Sequence, residues 1–271
     1  DISDLGFAKA YSFWWSNGDK IWVGSQQSDP LTESSNYDYF ANFVLPSVPQ
    51  SGDQVIYNMM ANTSAKASTA VVPAEQDASK SLGENGAFGQ AELYYVNSVY
   101  AFDLENKTNF VNFNIKALPS GATLKSIRLD AGNAIVAGSA AWSSTDGWSE
   151  VSNGSSTIDL KVNKSSVSAD EYITMVILPP ADMTIPSATI TYELEISGAT
   201  KYYEQTLGSK TFQTGDMARV SVDFSKVELY EMRTLTFEDT DAKFTAYSLD
   251  YASKNISKWS DLVDDPQYGG P

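Results

Sequence analysis

The amino-acid sequence predicts an all-β protein of two β-sandwich domains in tandem, followed by a truncated C-terminal segment. Short runs of alternating apolar and polar residues recur along the chain, as expected for strands with one buried face. Turn signals separate these runs every eight to twelve residues or so, the spacing typical of a sandwich. A helical period of apolar residues is not sustained over any stretch of about twelve residues.

The stretch 99–115 sets the predicted domain boundary. It holds two strand patterns on either side of the turn 105–109, which we expect to be exposed because it is strongly polar. We interpret the first pattern as the last strand of one domain and the second as the first strand of the next. The predicted parts are therefore 1–105, 106–228 and an extended tail, 229–271. The alternative is a hairpin inside one large sandwich, since single all-β domains reach this length.

In the first predicted domain, the turn signal Asn-Gly-Asp at 17–19 separates two short aromatic strand patterns. Polar and glycine-containing loops are expected at 26–36 and 77–90. The strand patterns of this domain lie at 11–15, 20–23, 37–45, 55–60 and 90–104.

The second predicted domain alternates more regularly, and its clearest half-buried strand is 190–196. Residues 172–178 are continuously apolar apart from Thr174, so we expect a central strand that ends at the prolines 179 and 180. The Ser- and Gly-rich residues 139–156 indicate a loop. The remaining strand patterns are 111–115, 124–129, 158–162 and 218–224.

Composition excludes several classes of function. The chain has 34 acidic and 18 basic residues and a formal net charge of −16, which disfavours nucleic acids and anionic lipid as partners. It has no Cys and no His, so thiol nucleophiles, Cys or His zinc sites and Ser-His-Asp triads are excluded. No run of eighteen apolar residues exists that could span a membrane. The start at Asp1 is expected for a mature or trimmed form.

Several segments, in this order, resemble the fimbrillin-like proteins of Bacteroides-type and Porphyromonas-type bacteria. They are Trp15 with the following Asn-Gly-Asp-Lys-Ile and Val23, the Pro-Ala-Glu-Gln of 73–76, the stretch 100–115, Lys125 to Ile127, 173–179 and Thr-Gly-Asp at 214–216. The resemblance covers roughly residues 13–226. At two places this chain departs from the usual pattern, with Asn106-Lys107 where His-Lys is frequent and Gly215-Asp216 where Gly-Lys is commoner.

The resemblance implies two transthyretin-like β-sandwiches, export as a lipoprotein and display at the cell surface or in a fimbrium. Members act as fimbrial stalk, anchor or tip proteins and assemble by exchanging β-strands. The expected partners are other fimbrial subunits or ligands on host or bacterial surfaces. The C-terminal segments 235–239 and 259–271 resemble the start of a β-sandwich module of carbohydrate-binding type.

Trp142 and Trp148 are the candidate ligand-binding residues. They lie in the predicted Ser/Gly loop, where an exposed indole could stack on a sugar or on a partner. The alternative is that both indoles pack beneath the loop.

Glu238, Asp239 and Asp241 are the candidate metal ligands, because Ca²⁺ prefers carboxylate and carbonyl oxygens. The alternative is a solvated acidic turn, and the same two interpretations apply to Asp261, Asp264 and Asp265. No cofactor is expected apart from such structural Ca²⁺. Carboxylate pairs at hydrolase spacing would arise by chance among so many acids, so we expect no enzyme activity.

Arg233 is the candidate protease-sensitive site. The other arginines, Arg128 and Arg219, fall inside strand patterns, where a folded backbone resists cleavage. The resemblance implies that stalk subunits lose an N-terminal strand to an Arg-directed protease, yet 1–105 contains no arginine. We therefore expect a monomer that keeps its first strand, as in a tip or accessory subunit. The alternative is that Asp1 is already a cleaved end.

Two functions follow as hypotheses. The first is a non-enzymatic structural or adhesive protein of the cell surface, a fimbrial tip or accessory subunit that assembles by β-strand exchange. The second is a glycan-binding surface lipoprotein that uses Trp142, Trp148 or a C-terminal module.

Overall fold

The computed structural model describes residues 15–33, 36–37, 40–168, 171–178, 183–231, 234–239 and 242–247. For residues 36, 37, 40, 234–239 and 242–247 it describes the backbone. The all-β class predicted from the sequence is confirmed. Within these ranges there is no helix with the length and apolar character needed to cross a bilayer.

The strands up to residue 106 are β1 (Ile21–Val23), β2 (Gln26–Gln27), β3 (Asn36–Tyr37), β4 (Phe40–Ala41), β5 (Gln54–Asn58), β6 (Thr69–Val72), β7 (Glu75–Asp77), β8 (Phe88–Glu92), β9 (Tyr94–Val96), β10 (Val99–Ala101) and β11 (Glu105–Asn106). Those that follow are β12 (Asn109–Lys116), β13 (Ala122–Asp130), β14 (Ala137–Ser143), β15 (Gly147–Trp148), β16 (Ser152–Ser155), β17 (Thr157–Lys164), β18 (Tyr172–Ile177), β19 (Thr184–Ile185), β20 (Ala188–Ile196), β21 (Ala199–Leu207), β22 (Lys210–Thr211), β23 (Met217–Asp223), β24 (Thr234–Asp239) and β25 (Ala242–Tyr247). Short 3-10 helices occupy Ser64–Lys66 and Phe224–Lys226.

Among the described strands, the first sheet has the order β11-β8-β5-β1-β2, and we call it sheet A. The later half of the chain forms two facing sheets, β18-β12-β23 (sheet B) and β21-β20-β13-β17-β7 (sheet C). Antiparallel pairs predominate, but β12 runs parallel to β23 and β17 runs parallel to β7. Separate small sheets pair β9 with β10, β19 with β22, β3 with β4 and β24 with β25.

Alternation along the strands builds the core between sheets B and C. On β20, the side chains of Ile190, Tyr192 and Leu194 are fully buried while the intervening residues are half-buried. The Tyr192 ring meets Phe113 of β12 edge-on at a centroid distance of 6.3 Å, so the two sheets contact each other directly. Burial also raises the pKa of the Tyr192 hydroxyl. The predicted strand at 190–196 is thus present, and its apolar face closes the second sandwich.

Residues 69–77, which hold β6 and β7, form a strap between the two halves of the chain. β6 pairs with β14, from Thr69 opposite Ala141 to Val72 opposite Gly138. β7 then adds to the edge of sheet C beside β17. Both pairings reach across the position predicted for the domain boundary, which falls between β11 in sheet A and β12 in sheet B. The bounds 1–105 and 106–228 stay predictions.

Gln76 fixes the strap to the edge of sheet B. Its side chain is 4% exposed, and its amide Nε2 donates to the carbonyl of Val176 at 2.7 Å. The amide oxygen accepts from the backbone N–H of Val176 at 3.0 Å. One side-chain amide therefore pairs with β18 as the peptide group of a neighbouring strand would.

The prediction that 172–178 is a central strand of its sheet was wrong. In the described residues β18 is the edge strand of sheet B, because no further strand pairs beyond it. Its apolar sequence has a different physical cause, since Met175, Val176 and Ile177 are fully buried beneath the strap that carries Gln76.

The prediction of a loop over 139–156 was also wrong. These residues contribute to β14, β15 and β16, which form a small sheet with β6. Ser and Gly have low strand propensity, so the sequence pattern concealed these strands. The strap supplies the missing pairing partner, and long-range pairing outweighed local propensity.

The polar turn 105–109 is buried in part, contrary to the expectation that it would be exposed. Thr108 and Asn109 are fully buried. The hydroxyl of Thr108 accepts from the Phe88 N–H at 3.1 Å, and the Asn109 side-chain oxygen accepts from the Asp216 N–H at 2.8 Å. These polar side chains are tolerated inside because they satisfy backbone groups that would otherwise be unpaired.

Gly215 lets the turn at 214–216 approach this buried segment. Its φ is +80°, and a Cβ built there would lie 2.6 Å from the carbonyl oxygen of Asn106. Asp216 then hydrogen-bonds to Asn109 and accepts from the Phe110 N–H at 3.0 Å. The Gly-Asp pair noted in the sequence is therefore a close packing contact at the point where the two halves meet.

Arg128 lies in β13 and Arg219 in β23, each within a hydrogen-bonded strand. The guanidinium of Arg128 also bonds the carboxylate of Asp159 on the neighbouring strand at 3.1 Å. Arg233 lies outside the described residues.

Replacing Gln76 with Ala should destabilise the protein because it leaves the N–H and the carbonyl of Val176 buried and unpaired. The expected loss in the free energy of unfolding is about 1–3 kcal/mol for each group left without a partner. Chemical denaturation of Gln76→Ala checks this, with the exposed Gln213→Ala as the matched control. Equal stabilities of the two variants would contradict the role given to Gln76.

Gly215→Ala should destabilise the protein through both its backbone conformation and the contact with Asn106. Backbone strain alone costs on the order of 1–3 kcal/mol at a positive φ. Gly121→Ala is the control, because Gly121 has a φ of +73° and open space around it. A larger drop in thermal midpoint is expected for Gly215→Ala. Identical drops would show that the contact with Asn106 is not tight.

Candidate functional site

A depression with many apolar side chains in its lining lies beside sheet A, and we call it the sheet A groove. Its volume is about 670 Å³. The apolar side chains that line it come from three separate segments: Trp15, Ile21, Val23, Phe43, Leu45, Phe102 and Leu104. Ile21 and Val23, on the same face of β1, lie at the floor of the groove and are almost fully buried.

Two segments without regular secondary structure, 42–45 and 102–104, form walls of the groove. Ring contacts hold them together. Phe43 meets Trp15 edge-on at a centroid distance of 4.9 Å, and it lies 6.1 Å from Phe102. A groove with apolar side chains and non-strand backbone on its walls matches the chemistry of an added β-strand.

The buried carboxylate of Asp19 lies next to the residues that line the sheet A groove. Asp19 is 1% exposed, and its carboxylate accepts from the Ser16 N–H at 2.8 Å and from the Tyr57 hydroxyl at 2.8 Å. Burial raises the pKa of Asp19, against the opposing effect of these hydrogen bonds. Burial and the neighbouring Asp19 charge raise the pKa of Tyr57 well above its usual value. The Tyr57 ring also contacts Trp15 edge-on, so this pair positions a wall of the groove.

The hairpin of β9 and β10 projects large apolar side chains into solvent next to the groove. Tyr95 is 56% exposed and Val99 is 61% exposed. The two turn residues, Asn97 and Ser98, both have positive φ, as a two-residue hairpin turn requires. Tyr100 of this hairpin faces both Tyr95, at a centroid distance of 4.8 Å, and the groove.

A second depression, of about 320 Å³, is polar, and we call it the polar cleft. Its side chains carry amides, carboxylates, a hydroxyl and an ammonium group: Gln54, Gln90, Glu92, Asp103, Glu105, Ser144 and Lys107. Lys107 is paired with Glu105 at 2.6 Å and lies 5.2 Å from the ring centroid of Trp142. Hydrogen-bonding groups next to an aromatic ring are the usual components of a carbohydrate site.

The two candidate tryptophans are brought together, but neither lines the polar cleft. Their rings meet edge-on at a centroid distance of 5.1 Å. Trp148 is 8% exposed and also packs against Phe88, while Trp142 is half-buried beneath Lys107. Both indole nitrogens are buried without a hydrogen-bond acceptor among the described residues. Their role in ligand binding stays a prediction.

The predicted calcium ligands fall at the end of the described chain. The backbone of Glu238 and Asp239 belongs to β24, whereas Asp241, Asp261, Asp264 and Asp265 lie outside the described residues. In the part of the chain that the structure describes, no three acidic side chains converge in a way that could hold a metal ion. Calcium binding therefore stays a prediction that rests on the sequence.

Sequence reasoning missed the components of the polar cleft and the part played by Lys107. The cleft joins residues from β5, β8 and β11 with Ser144, which follows β14. The residue pattern of β8 and β11 did not predict the polar cleft, because the cleft forms only when these strands become neighbours. The one available signal was Lys107, a basic residue within a polar turn of an acidic chain.

No protein-family model matches the chain, and no similar curated protein is found. The solved structures that are similar to the chain include three proteins described as a "putative cell adhesion protein". The protein from Bacteroides ovatus ATCC 8483 is 13% identical, with a TM-score of 0.40 over 89% of each chain. The protein from Bacteroides fragilis NCTC 9343 is 9% identical, with a TM-score of 0.40 over 87% of this chain and 86% of that one. The protein from Bacteroides uniformis ATCC 8492 is 16% identical, with a TM-score of 0.42 over 82% of this chain and 93% of that one.

Tyr57→Phe should destabilise the protein in a way that depends on pH. The change removes a donor from the buried carboxylate of Asp19, so the pKa of Asp19 in the folded state should rise further above its ordinary value of 3.8. Stability contributed by a group with a raised pKa is fully present below the unfolded value and is lost as pH rises through the folded value.

The part of the penalty that comes from Asp19 should therefore be small below pH 3.8 and reach about 1–3 kcal/mol at neutral pH, in addition to a pH-independent part from the lost hydrogen bond with the Gly83 backbone. Urea unfolding across this pH range measures it. Tyr100→Phe is the control, because Tyr100 is half-buried and faces another tyrosine ring. A penalty that does not vary with pH would rule out the coupling to Asp19.

Proposed function

We propose that the chain is a non-enzymatic structural or adhesive protein of the bacterial cell surface, a tip or accessory subunit of a fimbrium. In this proposal it acts outside the cell and joins its partners by β-strand exchange. The single observation that carries the proposal is the sheet A groove, with the half-buried aromatic and aliphatic side chains on its walls. The ordered resemblance of residues 13–226 to the fimbrillin-like proteins supports the same assignment.

Strand exchange fits the physical chemistry of this groove. An incoming strand would bury alternate apolar side chains against the half-buried Phe43, Leu45 and Phe102, and its backbone would lie beside the segment 102–104. Apolar burial would drive binding, while main-chain hydrogen bonds would fix the register. The exposed hairpin of β9 and β10 would add contact area next to the groove.

Peptide binding tests this proposal. Labelled extended peptides with alternating apolar residues should bind the intact chain, and Phe102→Asp should weaken that binding by roughly tenfold or more because it places a charge in an apolar groove. Tyr172→Asp is the matched control, because Tyr172 is 43% exposed on β18, away from the groove. Equal binding by the two variants would show that the groove is not the site.

The role of a tip or accessory subunit has its own test. Digestion with an Arg-specific protease should leave the strands that contain Arg128 and Arg219 intact, and the chain should remain a monomer. Intact mass and gel filtration measure both outcomes. Loss of an N-terminal fragment together with polymer formation would instead indicate a stalk subunit.

A second candidate function is favoured by the polar cleft, which would make the chain a glycan-binding surface lipoprotein. Neutral sugars suit the net charge of −16 better than anionic ones do. Glycan-array binding that is lost in Gln90→Ala but kept in Phe102→Asp would favour this function. Binding of peptides without any glycan binding would favour the first.

A further inference from the structure

The sheet A groove and the polar cleft open on opposite faces of the same sheet. The register of strand pairing places Ile21, Val23 and Asn106 on the face of sheet A that borders the groove. The residues of the other face, which borders the polar cleft, are Gln54, Gln90, Glu92 and Glu105. The two depressions are therefore separated by the thickness of one sheet.

Residues 102–107 form the wall between the groove and the cleft, and their side chains alternate between the two. The side chains on the groove side, all half-buried, are those of Phe102, Leu104 and Asn106. The side chains on the cleft side are those of Asp103, Glu105 and Lys107. Asp103 lines both depressions, so they meet at this residue. A strand laid along the wall would likewise present alternate side chains to the groove and to the cleft.

The wall is also an open edge of sheet A. Among the described strands, β11 is the last strand of the sheet on this side. The segment 102–104, just before β11, makes no backbone hydrogen bond within the described part of the chain. The side-chain oxygen of Asn106 is buried and has no donor among the described residues either. An added strand supplies hydrogen-bond partners for such an edge.

The cleft side of the wall carries uncompensated negative charge. Glu105 is paired with Lys107 at 2.6 Å. Glu92 and Asp103 also line the cleft, and neither forms an ion pair with a described residue. Cationic side chains on the incoming strand would therefore find two unpaired carboxylates on this face.

The groove side has no positive charge either. Apart from Trp15, the residues that line the groove come from the stretches 21–49 and 93–106, and neither stretch contains a lysine or an arginine. A second copy of this chain would bring a net charge of −16 to the same edge and would be repelled. The charge pattern therefore favours a basic partner over self-association.

Starting from the proposed function, strand exchange at the sheet A groove, we propose that the incoming strand belongs to a different, basic protein. One face of this strand is apolar, and the other carries lysine or arginine. The apolar side chains pack against Phe102 and Leu104, while the cationic side chains reach Glu92 and Asp103 across the edge. A donor from the strand serves the side-chain oxygen of Asn106. The groove and the polar cleft then act as two halves of one site.

Three labelled peptides of equal length test the charge of the partner strand. They share Val and Phe at alternate positions and carry Lys, Thr or Glu at the positions between. The Lys peptide should bind the intact chain about tenfold more tightly than the Thr peptide, because it meets two unpaired carboxylates, and the Glu peptide should bind most weakly. The advantage of the Lys peptide should shrink at high salt, since exposed charge pairs are screened. Fluorescence anisotropy measures each affinity.

Variants of the two carboxylates locate the cationic contacts. Glu92→Gln and Asp103→Asn should each reduce the preference for the Lys peptide over the Thr peptide about two- to fivefold, the size of one exposed charge pair. Glu228→Gln is the matched control, because Glu228 is exposed and lines neither depression, and the preference should be unchanged. Phe102→Ser, which adds no charge, should weaken binding of all three peptides roughly tenfold or more through lost apolar burial. Circular dichroism and the thermal midpoint establish that each variant is folded.

Different results separate the basic partner from strand exchange itself. Equal binding of the three peptides, all weakened by Phe102→Ser, would leave strand exchange in place and overturn the basic partner. Absence of binding by every peptide would overturn both. A preference for the Lys peptide that persists in Glu92→Gln and Asp103→Asn would place the cationic contacts elsewhere and overturn the shared site. Lys-peptide binding that is unchanged in folded Phe102→Ser would do the same, because the cleft would then act without the groove. Dimers on gel filtration at high salt would replace the basic partner with a second copy of the chain.

Discussion

One side-chain amide holds the two halves of this protein in register. Gln76 presents its C=O and N–H to the backbone of Val176 as another strand would, and this pairing stands in for a strand at the edge of sheet B. Gln76 lies within β7, and the strands β6 and β7 pair with two different sheets that contain strands of the later half. Because sheet edges expose unpaired backbone groups, covering this edge also lowers the risk of unwanted pairing.

Buried polar side chains at the junction follow the same physical rule. Thr108 and Asn109 satisfy backbone groups of Phe88 and Asp216, and each link joins segments that are far apart in sequence. Such bonds contribute modestly to stability when they are formed, but they are costly when broken inside a protein. The junction is therefore specified by directional bonds, while the sandwich interiors are held by non-directional apolar packing.

The local pattern of apolar and polar residues predicted a strand that has one buried face. It did not predict strands that depend on long-range pairing. The alternation of Ile190, Tyr192 and Leu194 predicted a strand whose apolar face the structure buries. The Ser/Gly-rich strands β14 to β16 were missed because their partner, β6, lies about a quarter of the chain away. Trp142 and Trp148 were recognised as notable residues, but nothing in the sequence indicated that Lys107 would cover one of them. The geometry of a site depends on which strands become neighbours. The alternation of apolar and polar residues within one strand does not show which strands those are.

The strap also has a consequence for how the chain acquires its structure. Gln76 and Val176 are separated by 100 positions, so a nascent chain must extend well past the middle before this contact can form. Contacts of such large sequence separation slow folding because a long loop must be closed first. Until then the apolar side chains of Ala70 and Val72, fully buried in the finished protein, are exposed to solvent and to other chains. We expect this segment to be the one most open to contacts with other chains until the later half has been synthesised.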